Sequence, residues 1–151
     1  MQLPLLAERY MPCRNENSMK TIVILDDKNH ALKPVEYEFP NEEWFNYSTF
    51  HFDTFELYNR QKINQIDIQF LDFFLRKDRI YGKDIIANLK TKILVCFSSK
   101  KEMSDAISQE AIKGGHFQYK NVYSIQKQKS TFENKELGRV SAEITRRLNF
   151  I

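Results

Sequence analysis

Apolar residues along this chain gather into short runs that stop abruptly on a polar side chain. Thr21-Ile-Val-Ile-Leu-Asp26-Asp27, Ile66-Asp-Ile-Gln-Phe-Leu-Asp72 and Lys92-Ile-Leu-Val-Cys-Phe-Ser98-Ser99 are the clearest. Near-continuous β-branched and aromatic runs of this length suit strands buried on both faces of a parallel sheet. They predict strands over 21–26, 66–71 and 92–97. Asn46-Tyr-Ser-Thr-Phe-His-Phe52 alternates at period two and predicts another over 46–52. His116-Phe-Gln-Tyr119 predicts a short fifth strand ending at Lys120.

Helical segments lie between these strands. Residues 28–39 form a weak one, since Pro34 and Pro40 interrupt it. Asp53 is placed to cap a helix from Thr54 to about Ile63. Gly82 to Lys90 makes a third. Ser99 is placed to cap a fourth from about Lys100 to Lys113, which Gly114-Gly115 stop. Ser130-Thr-Phe-Glu133 reads as a capping box opening a last helix, with Leu137, Val140, Ile144 and Leu148 along one stripe. Alternating strands and helices predict an α/β domain: a flavodoxin-like, doubly wound, five-stranded parallel sheet of order 2-1-3-4-5 with helices on both faces. The domain spans residues 19–151. Residues 1–18 have no clear period and read as a tail, with Met19 either the translation start or the first structured residue; the other reading is an ordered arm packed on the domain.

Composition narrows the class. At 42% hydrophobic residues, with Gly and Pro scarce, the chain has enough apolar material for a core and no low-complexity character. No apolar run approaches the roughly 18 residues of a membrane span, and the N-terminal apolar stretch is too short for a secretory signal. Two cysteines, Cys13 and Cys96, make no disulfide framework, and Cys96 reads as a small buried hydrophobe. A cytoplasmic protein is expected. Charge is uneven: residues 19–75 carry 5 Lys/Arg against 10 Asp/Glu, and residues 76–151 carry 16 against 8. The basic half reads first as a solvated helical surface. No helix-turn-helix, zinc-finger or RNA-recognition signature supports direct DNA or RNA binding.

The polar residues that end the runs carry the candidate chemistry. In an open parallel sheet, ligands bind outside the carboxyl ends of the strands. Asp26 and Asp27 end the first strand, and two carboxylates at one rim repel unless a hard cation such as Mg²⁺ relieves them. Asp72 ends the third strand, where a carboxylate beside such a cation can accept a phosphoryl group. Ser98 or Ser99 after the fourth strand offers a hydroxyl, although Ser99 also suits a cap. Lys120 after the fifth offers a point cation. Asp67 precedes its buried run and belongs on the opposite rim. Asp78, in the charged loop Arg76-Lys-Asp-Arg79, reads as solvated.

Together these residues resemble the receiver domain of two-component response regulators over about residues 20–148. The matching positions are the acid pair Asp26-Asp27, Asp72 within Phe-Leu-Asp72-Phe-Phe-Leu, Gly82-Lys-Asp-Ile-Ile, Ser98, Gly114-Gly115 and Lys120. The resemblance implies Mg²⁺ held by Asp26, Asp27, Asp72 and the backbone carbonyl of Phe74. It also implies a phosphoryl group on Asp72 sensed by Ser98 and Lys120, and Phe117 or Tyr119 as an aromatic switch. The chain departs from the family at Leu75-Arg76, where Met-Pro is usual, at Asn121, where proline is usual, and in a Gly114-to-Lys120 segment about one residue short.

A stand-alone receiver is therefore expected. It would be phosphorylated by a histidine kinase or phosphotransfer protein, and it would signal through a downstream protein partner, a homodimer or a phosphorelay. It would not be an enzyme beyond its own phosphotransfer and dephosphorylation. One alternative is an interaction module of the same fold that needs no phosphorylation. Another is a small aspartyl-phosphate phosphatase, disfavoured because Asp26-Asp27-Lys28 is not Asp-x-Asp.

Overall fold

The structure is a computed structural model that describes residues 19–28, 31–42, 45–128 and 134–149. Five parallel strands form one sheet: β1 (Met19–Leu25), β2 (Asn46–Phe52), β3 (Ile66–Leu71), β6 (Thr91–Ser98) and β7 (Val122–Gln126). Their spatial order is β2-β1-β3-β6-β7. In sequence terms this is the expected order 2-1-3-4-5, with the switch point between β1 and β3.

Two apolar layers sandwich the sheet. On one face α1 (Leu32–Glu38) and α4 (Lys135–Asn149) cover Ile22, Ile24, Ile68, Phe70, Ile93 and Val95. All four stripe residues of α4, Leu137, Val140, Ile144 and Leu148, are buried there. Each such burial is worth roughly 1.5–3 kcal/mol. On the other face α2 (Phe55–Gln61), α3 (Lys101–Lys113) and a 3-10 helix (Gly82–Asn88) cover Val23, Leu25, Leu71, Leu94 and Cys96. Alternate residues of β1 and β6 serve opposite layers, so both faces of these strands are apolar, as their unbroken runs required. Burial pushes the Cys96 thiol far up, so it stays protonated and inert.

Several boundaries differ from expectation. Pro34 sits in the first turn of α1, where a missing N–H costs nothing, and Pro40 follows its end. Thr54, not Asp53, caps α2: its hydroxyl accepts from the Leu57 N–H at 3.1 Å. Asp78 reinforces that end by accepting from the Phe55 and Glu56 amides at 2.9 and 3.2 Å, so it is a helix cap and not a solvated loop residue. Lys100, with no side-chain cap, precedes α3 in place of Ser99. Gly115, at φ +76°, makes the left-handed turn after that helix. The segment 82–88 winds as 3-10 helix, and a two-stranded hairpin precedes it, β4 (Phe74–Leu75) with β5 (Ile80–Tyr81). The oxygen of Asn134 accepts from Leu137 N–H at 3.0 Å and opens α4. The capping box 130–133 and the tail 1–18 lie outside the described residues.

The largest correction concerns the fifth strand. Residues 116–119 are not a strand. His116 and Phe117 donate their amides to the Ala111 carbonyl, folding the chain back against the end of α3, and a 3-10 turn (Tyr119–Asn121) follows. The strand is β7, whose Val-Tyr-Ser-Ile-Gln is richer in strand-forming residues than His-Phe-Gln-Tyr. Among the described residues no helix is long and apolar enough to cross a membrane.

Candidate functional site

Register brings the carboxylates together. Leu25 aligns with Leu71 across β1 and β3, and Leu71 with Cys96 across β3 and β6. The next residues, Asp26 and Asp72, therefore leave the sheet at the same level. The Asp72 N–H still donates to the Leu25 carbonyl at 3.1 Å, and the Asp26 N–H to the Phe52 carbonyl at 3.2 Å. Asp26, Asp27 and Asp72 each present a ligand oxygen, all within 4.8 Å of one another. The side chain of Asp26 is 3% exposed, that of Asp27 7% and that of Asp72 14%.

Each carboxylate is held by local hydrogen bonds. Asp26 Oδ1 accepts the Lys28 N–H at 3.0 Å, and its backbone carbonyl accepts Nε2–H of His51 at 2.9 Å. Asp27 Oδ2 accepts the Arg76 N–H at 3.1 Å, with the Arg76 Nε 3.9 Å away. Asp72 Oδ1 accepts the N–H of Phe73 at 2.8 Å. Burial raises the Asp72 carboxyl to a pKa of about 6, and the adjacent Asp26 charge adds to that, while a nearby lysine opposes it.

That lysine is Lys127, and it corrects the assignment of Lys120. Lys127 Nζ lies 2.5 Å from Asp26 Oδ2 and 3.4 Å from Asp72 Oδ1. Its backbone N–H donates to the Ser98 carbonyl at 2.7 Å, which sets it beside the end of β6. The ammonium also sits 5.9 Å from the Phe97 ring centroid. Lys120 stands in the turn before β7, and at about 3.3 Å per residue the length of that strand separates it from the carboxylates. Its carbonyl is held by Arg147 at 2.9 Å. Phe117 and Tyr119 share that far rim, Phe117 packed on the second core layer and Tyr119 77% exposed. Neither reaches the acid cluster. The interval that led back from Lys120 to Phe117 leads back from Lys127 to Ser124, whose hydroxyl bonds Asp105 at 2.6 Å.

Ser98 resolves against Ser99. Ser98 is buried at the end of β6, and its Oγ has no hydrogen-bond partner among the described residues. Ser99 is exposed. Ser104 positions Ser98 from α3: its Oγ accepts the Ser98 N–H at 2.9 Å and donates to the Ile125 carbonyl at 2.9 Å, tying the ends of β6 and β7 together. Phe74, two residues past Asp72, pairs with Tyr81 in the hairpin. The Gly82 N–H goes to the Phe73 carbonyl at 2.8 Å, and alternation along an antiparallel pair then turns the Phe74 carbonyl away from β5. Asp67 lies on the other rim, as expected: it accepts the Thr21 N–H at 2.9 Å and pairs with Lys92 at 3.1 Å.

A cluster of three near-buried carboxylates, with an unpartnered buried hydroxyl at the end of the adjacent strand β6, fits a small hard cation and a phosphoryl group. Mg²⁺ takes one or two carboxylates and completes its shell with water and phosphate oxygens.

No protein-family model matches the sequence, and no curated protein matches it. Solved structures do. A response regulator receiver domain protein (CheY-like) from Methanospirillum hungatei JF-1 superposes with a TM-score of 0.54 at 15% identity, over 87% of this chain and 95% of that one. A response regulator from Thermotoga maritima gives a TM-score of 0.51 at 16% identity, over 84% and 98%. The chain has the fold of the response-regulator receiver domain.

Proposed function

We propose that the protein is a cytoplasmic receiver that takes a phosphoryl group on Asp72 and changes its binding to a partner protein in response. The observation that supports this most is the meeting of Asp26, Asp27 and Asp72 beside Lys127 and the unpartnered Ser98 hydroxyl. Carboxylates of the Asp26, Asp27 and Asp72 cluster, with the Phe74 carbonyl, would hold Mg²⁺, which would neutralise phosphoryl oxygens. An Asp72 oxygen forms the new P–O bond, and the donor leaves with the electron pair of the bond that breaks, P–N in a phosphohistidine (the imidazole nitrogen leaves) or P–O in a small acyl phosphate (the carboxylate leaves). Lys127 then exchanges a carboxylate for a phosphoryl oxygen, and Ser98 donates its hydroxyl proton to another. Both residues sit on adjacent strand ends, so their movement shifts the surface formed by α3, β7 and α4. The donor is a histidine kinase or phosphotransfer protein; the output is a protein partner or a second copy of the chain.

Beryllofluoride, which mimics an acyl phosphate, tests this reading. With Mg²⁺ it should move the amide resonances of Ser98 and Lys127, and Asp72→Asn should abolish the change. One observation favours the phosphorylation-independent module instead: Lys127 and Arg76 already compensate most of the cluster's charge. That module would show no response to beryllofluoride.

A further inference from the structure

The rim opposite the carboxylates carries a concave site of the reverse charge. A cavity of about 750 Å³ opens at the amino ends of β3 and β6, between the 3-10 turn before β7 and the end of α4. This volume lies within the roughly 300–1,000 Å³ of small-ligand sites. Lys90, Lys92, Lys120 and Arg147 line it, and none of its lining residues is an Asp or Glu. These cations belong to the basic half of the chain, whose excess charge the acid site leaves unexplained.

The four cations are not equivalent. Lys92 is paired with Asp67 at 3.1 Å. Arg147 is spent on the wall itself: its guanidinium donates to the Lys120 carbonyl at 2.9 Å, the Tyr123 hydroxyl at 2.9 Å and the Asn121 oxygen at 2.6 Å. It fixes the turn that carries Lys120. The ammonium groups of Lys90 and Lys120 have no ion pair or hydrogen bond among the described residues, and both residues are exposed. Between the cations the lining mixes polar side chains, among them Asn64, Gln65 and Gln118, with the half-buried Phe117 ring and the buried Leu89. Unpaired cations beside amide side chains and an aromatic ring suit an anion attached to a flat, hydrogen-bonding body.

We infer that this cavity binds a nucleotide-sized phosphorylated ligand, with its phosphates between Lys90 and Lys120 and its planar group against Leu89 and Phe117. A concave hollow of this volume suits a small ligand, whereas an extended polyanion would track a convex basic stripe. The inference is independent of phosphorylation at Asp72, since the two sites lie at opposite ends of the strands.

ATP in the presence of EDTA, titrated into the full-length protein and followed by amide chemical shifts, tests it. We expect saturable shifts confined to residues 89–93 and 116–121, with a dissociation constant below about 1 mM. Adenosine alone and tripolyphosphate alone should each bind more weakly than ATP, because each engages half of the site. Lys90→Glu with Lys120→Glu should weaken ATP at least about ten-fold. The same charge change at Lys33 and Lys83, both exposed and away from the cavity, should leave affinity within about two-fold. The inference is overturned if shifts do not saturate, if they centre on the Asp72 end, or if the two double variants weaken ATP equally. It is also overturned if tripolyphosphate or a single-stranded oligonucleotide binds as tightly as ATP, which would make the surface a general polyanion binder.

Discussion

The ammonium of Lys127 stands 2.5 Å from Oδ2 of Asp26 and faces a carboxylate that is almost wholly buried at the end of β1, beyond β6 and β3 in the sheet. Asp72 shares the same cation at 3.4 Å. Removing one partner of a buried pair strands the other charge. Lys127→Met keeps an apolar stem against Phe97 but removes the charge. It should cost roughly 2 kcal/mol in urea unfolding at neutral pH without metal, and Mg²⁺ should restore much of that loss. Lys120→Met, by contrast, should change stability by no more than about 0.5 kcal/mol.

The pKa of about 6 at Asp72 has a definite sign in stability. The folded value lies above the unfolded one near 4, so the folded state binds the proton more tightly. Stability is therefore lost as pH rises from about 4 to 6, and the whole penalty is present above that window. Asp72→Asn removes it. Without metal the variant should exceed the parent protein by roughly 1–3 kcal/mol at pH 7, and the advantage should vanish below about pH 4. Mg²⁺ should raise the Tm of the parent more than that of the variant. Thermal unfolding across pH, with and without Mg²⁺, measures all of this.

Ser98 carries a testable pairing of stability and proposed function. Its Oγ is buried without a partner, so Ser98→Ala removes an unsatisfied polar atom and should leave stability unchanged or raise it by up to about 1 kcal/mol. Phosphoryl transfer should slow by roughly ten-fold, the loss of one hydrogen bond made to the transferring group. Unfolding curves alongside labelling kinetics separate the two effects.

Gly82 packs closely against the backbone of Asp72. A Cβ placed there would lie 2.4 Å from the Asp72 carbonyl oxygen, a backbone atom with nowhere to go while Gly82 N–H is bonded to Phe73. Gly82→Ala should destabilise the protein by roughly 2 kcal/mol or more and displace Asp72. Labelling and stability should fall together in this variant, unlike in Ser98→Ala.

How much of this was legible beforehand depended on the kind of signal. β1, β3 and β6 were legible because a strand buried on both faces leaves an unbroken apolar run, and their polar stops placed Asp26, Asp72 and Ser98 at one rim. β7 lies at the sheet edge and only Ile125 of it is buried, so its pattern is weak. His116-Phe-Gln-Tyr119 alternates equally well, and the lysine that follows it stood in for the true one. The β-branched Val122 and Ile125 immediately before Lys127 were the available signal. Arg76 and Asp78 were read as loop charge, because their partners Asp27 and the α2 amides are contacts across the fold that no local pattern announces.

The most direct measurement is the intact mass of the protein after incubation with acetyl phosphate, with and without Mg²⁺, compared with Asp72→Asn. One phosphoryl group should be gained, only when Mg²⁺ is present and only when Asp72 is intact. An unmodified mass in Mg²⁺, or equal labelling of the Asn variant, would contradict the assignment of Asp72 as acceptor.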